Sequence, residues 1–173
     1  ETLSAGKTAV SDDYTARDDV TYVISLVNSG TAALTGLTVT DDLGAYLFDR
    51  GEAYPLVYNE GSIRYYVNGV LQTAPEVTAG PPLVIRGISV PAGGNVLLIY
   101  ETTVTNYAPL GLEASITNRA VVTGGGLSSP VAAEETINME LRADLSISKA
   151  VCPAVVAENG QLTYTFVIEN TGS

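Results

Sequence analysis

Hydrophobic and polar residues alternate with a period of two along nearly the whole chain, in short runs broken by Gly, Pro, Asn and Asp. That pattern predicts strands rather than helices. Residues 2–10 place Leu3, Ala5, Lys7 and Ala9 on one face, and after the polar stretch 11–19 the run from Val20 to Val27 places Val20, Tyr22, Ile24 and Leu26 together. Asn28-Ser29-Gly30 stops that strand. Leu37, Val39, Asp41 and Leu43 share the next face, and Asn68-Gly69 between Ser62–Val67 and Val70–Gln72 is a strong hairpin signal. Pro81-Pro82 introduces the short apolar run Leu83–Ile85, and Pro91-Ala92-Gly93-Gly94 forms a turn. Val96–Val104 reads as a long buried strand, and Leu112–Thr123 keeps Ile116, Asn118, Ala120 and Val122 in phase up to Gly124-Gly125-Gly126. Val131–Leu141 closes the series. Eight to eleven strands at this spacing predict an all-β fold, an antiparallel Ig-like β-sandwich with Greek-key connections.

The pattern then starts again. Residues 143–173, moved back by 142 positions, put Leu145 on Leu3, Ser146 on Ser4, Lys149 on Lys7, Thr163-Tyr164 on Thr21-Tyr22, Asn170 on Asn28 and Gly172 on Gly30. Seven identities are few, but the landmarks keep their spacing without a gap. The expected organisation is one complete sandwich module over 1–142 and the first two strands of a second copy over 143–173, cut from a tandem array. Arg142-Ala143 carries no Gly/Ser/Pro linker, which implies a stiff junction. Two strands alone bury no core, so 143–173 should be mobile or exchange strands with a neighbour.

Composition narrows the function. Nineteen acidic residues against eight basic ones give a formal charge of −11, which argues against nucleic acid and anionic membrane surfaces as partners. The chain has no His and no Trp, so the commonest general base and transition-metal ligand are missing, and no catalytic motif appears. An enzyme is therefore disfavoured. A single cysteine, Cys152, excludes an internal disulfide; it matches Val10 in the first copy and reads as a small buried hydrophobe. No stretch is long and apolar enough to insert into a membrane. No cofactor is implied. Asp12-Asp13, Asp18-Asp19, Asp41-Asp42, Asp49 and Glu52 could offer oxygen to calcium, but none has calcium-loop spacing, and solvated turn charge is the preferred reading. The ten tyrosines could form a glycan platform; sandwich packing is the simpler account.

The ordered motifs, a Lys in the first strand, "LTYTFVIENTG", "LTVTDDL", "VPAGGNVLLIYETTV" and "ITNRAVVT", resemble the conserved-repeat domain of unknown function found in tandem on large bacterial surface proteins. They are similar as well to its relatives, the isopeptide-forming domains of fimbrial shafts and adhesins. "SIRYYVNGV", in a long insertion, looks more like the fimbrial branch. The resemblance implies an extracellular location on the bacterial cell surface or cell wall. It also implies neighbouring repeats of the same chain as partners and a structural stalk or spacer role. The alternative is an adhesin module that contacts a host or surface ligand through the 44–82 insertion.

Chemistry concentrates on Lys7, Asp41 and Asn118, which alternation places on apolar faces. An inward Lys needs a partner. By the resemblance, Lys7 is the nucleophile of an intramolecular isopeptide bond, Asn118 the acceptor and Asp41 the buried, protonated acid, with Glu101 as the reserve acid. Two other readings stay open: a buried Lys7–Asp41 ion pair beside a hydrogen-bonded Asn118, or Lys7 reaching solvent at a sheet rim.

Overall fold

Alternation in the sequence becomes alternation in burial. In the computed structural model, which describes residues 2–141, 145–152 and 163–172, every second side chain of the strands Asp19–Asn28 and Asn95–Val104 is buried. The strands are β1 (Leu3–Ala9), β2 (Asp13–Tyr14), β3 (Asp19–Asn28), β4 (Leu34–Asp41), β5 (Tyr46–Phe48), β6 (Gly51–Ala53), β7 (Leu56–Tyr58) and β8 (Arg64–Val67). They continue as β9 (Val70–Leu71), β10 (Glu76–Thr78), β11 (Leu83–Val90), β12 (Asn95–Val104), β13 (Ser115–Gly124), β14 (Val131–Met139), β15 (Leu145–Cys152) and β16 (Thr163–Asn170). The chain divides into two units, 1–139 and 140–173.

The first unit is the expected all-β sandwich. One sheet runs β1-β3-β12-β8-β9, with β7 also on β12; the other runs β10-β11-β4-β13-β14-β2. Val20, Tyr22, Ile24 and Leu26 of β3 and Val96, Leu98 and Tyr100 of β12 face Leu37 and Val39 of β4 and Ile116, Ala120 and Val122 of β13 in one core. Chain neighbours are frequently not sheet neighbours: β3 lies beside β12, and β4 lies beside β11 and β13. These long-range pairings carry the Greek-key character.

Several local features depart from the sequence expectation. The polar stretch 11–19 contains β2, which pairs parallel with β14, so the sandwich is not wholly antiparallel. The cause is Tyr14, whose ring is fully buried and whose hydroxyl donates to the Pro109 carbonyl. Strand β11 continues to Val90 rather than stopping at Ile85, because a bulge between Ile85 and Ile88 breaks the alternation and returns both side chains to the core. Gly87, at φ 75°, supplies the left-handed backbone that the bulge needs. The Asn68-Gly69 hairpin forms as expected, with φ of 48° and 79° at its two central residues.

Asn28 explains why Asn-x-Gly ends β3. Its buried Nδ2 donates to the carbonyls of Ala32 (2.8 Å), Pro91 (3.1 Å) and Val90 (3.3 Å), and its Oδ1 accepts from Gly30 N at 2.9 Å. The amide thus ties the β3–β4 turn to the end of β11.

The second unit repeats the opening hairpin in the same register. Leu3 pairs with Asn28 and Ala9 with Tyr22; Leu145 pairs with Asn170 and Val151 with Tyr164. Each residue has moved by 142. Gly172 N donates to Asn170 Oδ1 at 3.0 Å, repeating the turn bond of the first copy. The environments differ. Ile24 and Leu26 are fully buried, whereas their equivalents Phe166 and Ile168 are 58% and 65% exposed. The expected boundary at Arg142 and the side chains of Lys149 and Cys152 lie outside the described residues.

Candidate functional site

The sandwich core contains very few polar side chains, and three of them are those singled out by sequence. Lys7 enters from β1 in the first sheet; Asp41 and Asn118 enter from β4 and β13 in the second. Asp41 is opposite Ala120 across the β4–β13 ladder, so Asn118, two residues along, is its diagonal neighbour on the same face. Asp41 and Asn118 are fully buried and Lys7 nearly so. Lys7 does not reach out to a rim.

Lys7 Nζ forms an ion pair with Asp41 Oδ2 that spans the two sheets. It also donates to Tyr100 Oη at 2.9 Å, and Tyr100 in turn donates to the same Asp41 Oδ2. The other carboxylate oxygen, Oδ1, accepts from Leu43 N at 2.8 Å. Tyr22 and Tyr100 are directly paired across β3 and β12, and their rings stack with centroids 6.1 Å apart. The Lys7 ammonium sits 4.8 Å from the Tyr22 ring centroid and 5.6 Å from that of Tyr100. The amine is thus held between two aromatic faces and one carboxylate.

Burial lowers the Lys7 pKa, and the Asp41 carboxylate acts in the opposite direction. Burial also pushes the Tyr100 hydroxyl well above its ordinary 10.0, with the Asp41 charge adding to the effect. Tyr22 is raised by burial too, and the Asn118 amide beside its hydroxyl moderates the rise. That proximity does not amount to an aligned hydrogen bond. Tyr22 Oη and both polar atoms of the Asn118 side chain are buried without a partner. An amide in this state is costly, by about 1–3 kcal/mol per orphaned group, and such groups are few in folded proteins.

Glu101, the reserve acid, is not brought to this cluster. It falls out of phase with Tyr100 and Thr102, is half-buried, and accepts a hydrogen bond from Asn59 Nδ2 at 2.7 Å. The paired acids suggested for calcium cap local turns instead: Asp18 accepts from Thr15 N and Asp42 from Gly44 N and Arg119 N. Among the described residues no group of three or more metal-ligating side chains gathers.

Sequence reasoning missed the two tyrosines. Both occupied inward positions of their strands, which was readable. That Tyr22 and Tyr100 are register partners beside Lys7 was not, because sequence spacing carries no information about β3 lying next to β12.

At one end of the first unit an open cleft of about 540 Å³ is lined by Phe48, Leu56, Tyr54, Tyr107 and Pro81, with the Glu52 carboxylate among them. Phe48 and Tyr107 are exposed. Most of this lining belongs to the 44–82 insertion.

No family model matches the chain, and no curated protein matches it in sequence. Solved structures share its architecture. The pilus backbone protein of Streptococcus pneumoniae superimposes with a TM-score of 0.55 at 13% identity, over 71% of this chain and 31% of that one. The major pilin subunit of Bacillus cereus gives 0.55 at 13% identity, over 98% of this chain and 56% of that one. The N-terminal domain of a Streptococcus gordonii adhesin gives 0.54 at 15% identity, over 80% of this chain and 32% of that one. This chain therefore spans between about a third and somewhat over half of those proteins' length. In fold, the chain is similar to the β-sandwich modules of bacterial pilins and adhesins.

Proposed function

We propose that the chain is a non-enzymatic structural module, a stalk or spacer segment of a bacterial cell-surface or secreted repeat protein, stiffened by an isopeptide bond between Lys7 and Asn118. The observation that carries the chemistry is the orphaned Asn118 amide, buried in the same core as a Lys–Asp pair that spans the sheets. An ion pair alone accounts for Lys7 and Asp41 but leaves Asn118 without a reason to be there. A reaction accounts for all three. The amine of Lys7, neutral once its proton has passed to Asp41, attacks the Asn118 side-chain carbon. Asp41 in its acid form hydrogen-bonds the carbonyl oxygen, the new C–N bond forms, and the old one breaks to release ammonia. Burial excludes the water that would compete.

The register-matched hairpin at 145–170 supports the array. Its exposed Phe166 and Ile168 are what an opening hairpin presents before the rest of its sandwich covers it. On this reading residues 1–142 are one module, 143–173 open the next, and the neighbouring partners are further repeats.

Intact mass of the full-length chain tests the bond. The expected mass is short of the sequence mass by one ammonia, and Lys7→Ala or Asn118→Ala should each restore the full value. Asp41→Ala should leave the bond unformed with both partners present. Wild-type protein at its full sequence mass would refute the cross-link and leave an ordinary buried ion pair.

A second reading, a ligand-binding adhesin module, is favoured by the concave apolar cleft in the 44–82 insertion with Tyr107 and Phe48 at its surface. A glycan and peptide array tests it. Binding that is lost in Phe48→Ser with the melting temperature unchanged would support this reading, and an array without binders would leave the spacer.

A further inference from the structure

Asp41 is asked to do two things in this chemistry: take a proton from Lys7 and present one to Asn118. A single carboxyl group in direct contact with the amine does the first easily. Once the nitrogen moves off to the Asn118 carbon, that contact is lost just when the nitrogen acquires a second surplus proton. Tyr100 touches both the amine and the carboxylate.

Its hydroxyl has one hydrogen, and the Asp41 carboxylate receives it. The oxygen lone pair that remains therefore accepts from Lys7 Nζ, 2.9 Å away. The path Nζ–H to Oη–H to Oδ2 is continuous, and all of it is buried, so no water is at hand to substitute. Leu43 N holds Asp41 Oδ1, which keeps Oδ2 turned toward the tyrosine and the amine. The Tyr100 ring is itself fixed, stacked on Tyr22 and packed edge-on against Tyr58 at 6.4 Å between centroids.

We propose that Tyr100 is a further catalytic residue of this site, a proton relay that carries the second surplus Lys7 proton to Asp41; the proposal rests on the cross-linking reaction above. The protons balance as follows. The first transfer is direct: Lys7 gives one proton to Asp41 across the ion pair, leaving a neutral amine and a carboxylic acid. Attack moves the nitrogen lone pair onto Asn118 Cγ and the carbonyl electrons onto oxygen, which takes the Asp41 proton. The second transfer removes the extra proton of the new C–N bond through Tyr100, which takes it as it gives its own to Asp41, and returns Asp41 to the acid and Tyr100 to the phenol. Asp41 then protonates the departing amide nitrogen, ammonia leaves with the bonding electrons, and the re-forming carbonyl gives its proton back to Asp41. Tyrosine remains a neutral phenol at rest throughout, in keeping with the burial that disfavours its anion.

Cell-free synthesis of the full-length chain, sampled over time by intact mass, reads the rate of ammonia loss directly. Wild type and Tyr14→Phe, which removes a tyrosine hydroxyl that bonds the Pro109 carbonyl rather than the Lys7 cluster, should convert at the same rate. Tyr100→Phe should convert about 100-fold more slowly, the usual weight of a positioned acid–base group. Conversion of Tyr100→Phe at the wild-type rate would overturn the relay while leaving the cross-link intact. Wild type that never loses ammonia would remove the reaction itself, and the relay with it. Because Tyr100→Phe could impair folding, the wild-type rate is also followed in mixtures of H2O and D2O. Two protons moving together predict a curved dependence on deuterium fraction, and a linear one overturns the proposal.

Discussion

At the scale of single residues, the site is governed by desolvation. Lys7, Tyr22 and Tyr100 are all driven toward their neutral forms by burial, and Asp41 is the group that opposes this for Lys7. The tyrosines make a pH prediction whose sign is definite. Both have pKa values raised above the ordinary 10.0 that they regain on unfolding, so the unfolded chain holds fewer protons than the native one above that pH. The stability they confer should be complete below about pH 10 and fall as pH rises further toward their native values. An alkaline titration that follows tyrosinate absorbance alongside near-ultraviolet circular dichroism should show the last tyrosines ionising together with loss of tertiary signal. Ionisation of all ten with the native signal retained would contradict the buried placement. How far this chemistry was legible in sequence depends on the residue. Lys7, Asp41 and Asn118 were found because a polar side chain in phase with apolar ones is visible in a string. Tyr22 and Tyr100 were hidden because aromatic residues in phase look like ordinary core.

At the scale of elements, Asn28 carries more than its place in a turn suggests. One buried side chain satisfies three carbonyls from two separated segments and one amide of its own turn. Asn28→Ala should strand carbonyls at the end of β11 and destabilise the first unit by about 1–3 kcal/mol. Thermal denaturation of the variant checks this, and an unchanged melting temperature would mean that water replaces the amide. The same kind of reasoning explains why β2 escaped the sequence pattern. A two-residue strand has no periodicity to detect, and what anchors it is the Tyr14 ring under β14 and the Pro109 loop, contacts distant in sequence. The bulge in β11 failed for the opposite reason: its apolar residues were visible, but their phase changed at Gly87.

At the scale of the whole molecule, the first unit should act as a force-bearing element if the bond forms. Lys7 is in β1 and Asn118 in the penultimate strand of the unit, so the bond closes a loop of more than a hundred residues. By analogy with long-loop disulfides, that stabilises by about 4–5 kcal/mol through the unfolded chain. Single-molecule pulling on residues 3 and 139 should release only the short lengths outside the loop in wild type. Asn118→Ala should extend by the full unit, and full extension of wild type would contradict a covalent bridge. A chain ending at Arg142 should melt as the intact chain does, since residues 1–139 form a contact unit by themselves.

The sequence by itself determined the long strands, the sandwich class, the inward positions of Lys7, Asp41 and Asn118, and the repetition of the opening hairpin. All of these follow from a period of two and from a fixed offset along one chain, which are one-dimensional properties. Only the tertiary structure decided that Tyr100 bridges Lys7 and Asp41, that Asn118 is left without partners, and that Glu101 turns away toward Asn59. These depend on which strands become neighbours and in what register. In a Greek-key sandwich those neighbours are distant in sequence, and their pairing is selected by the packing of the whole core.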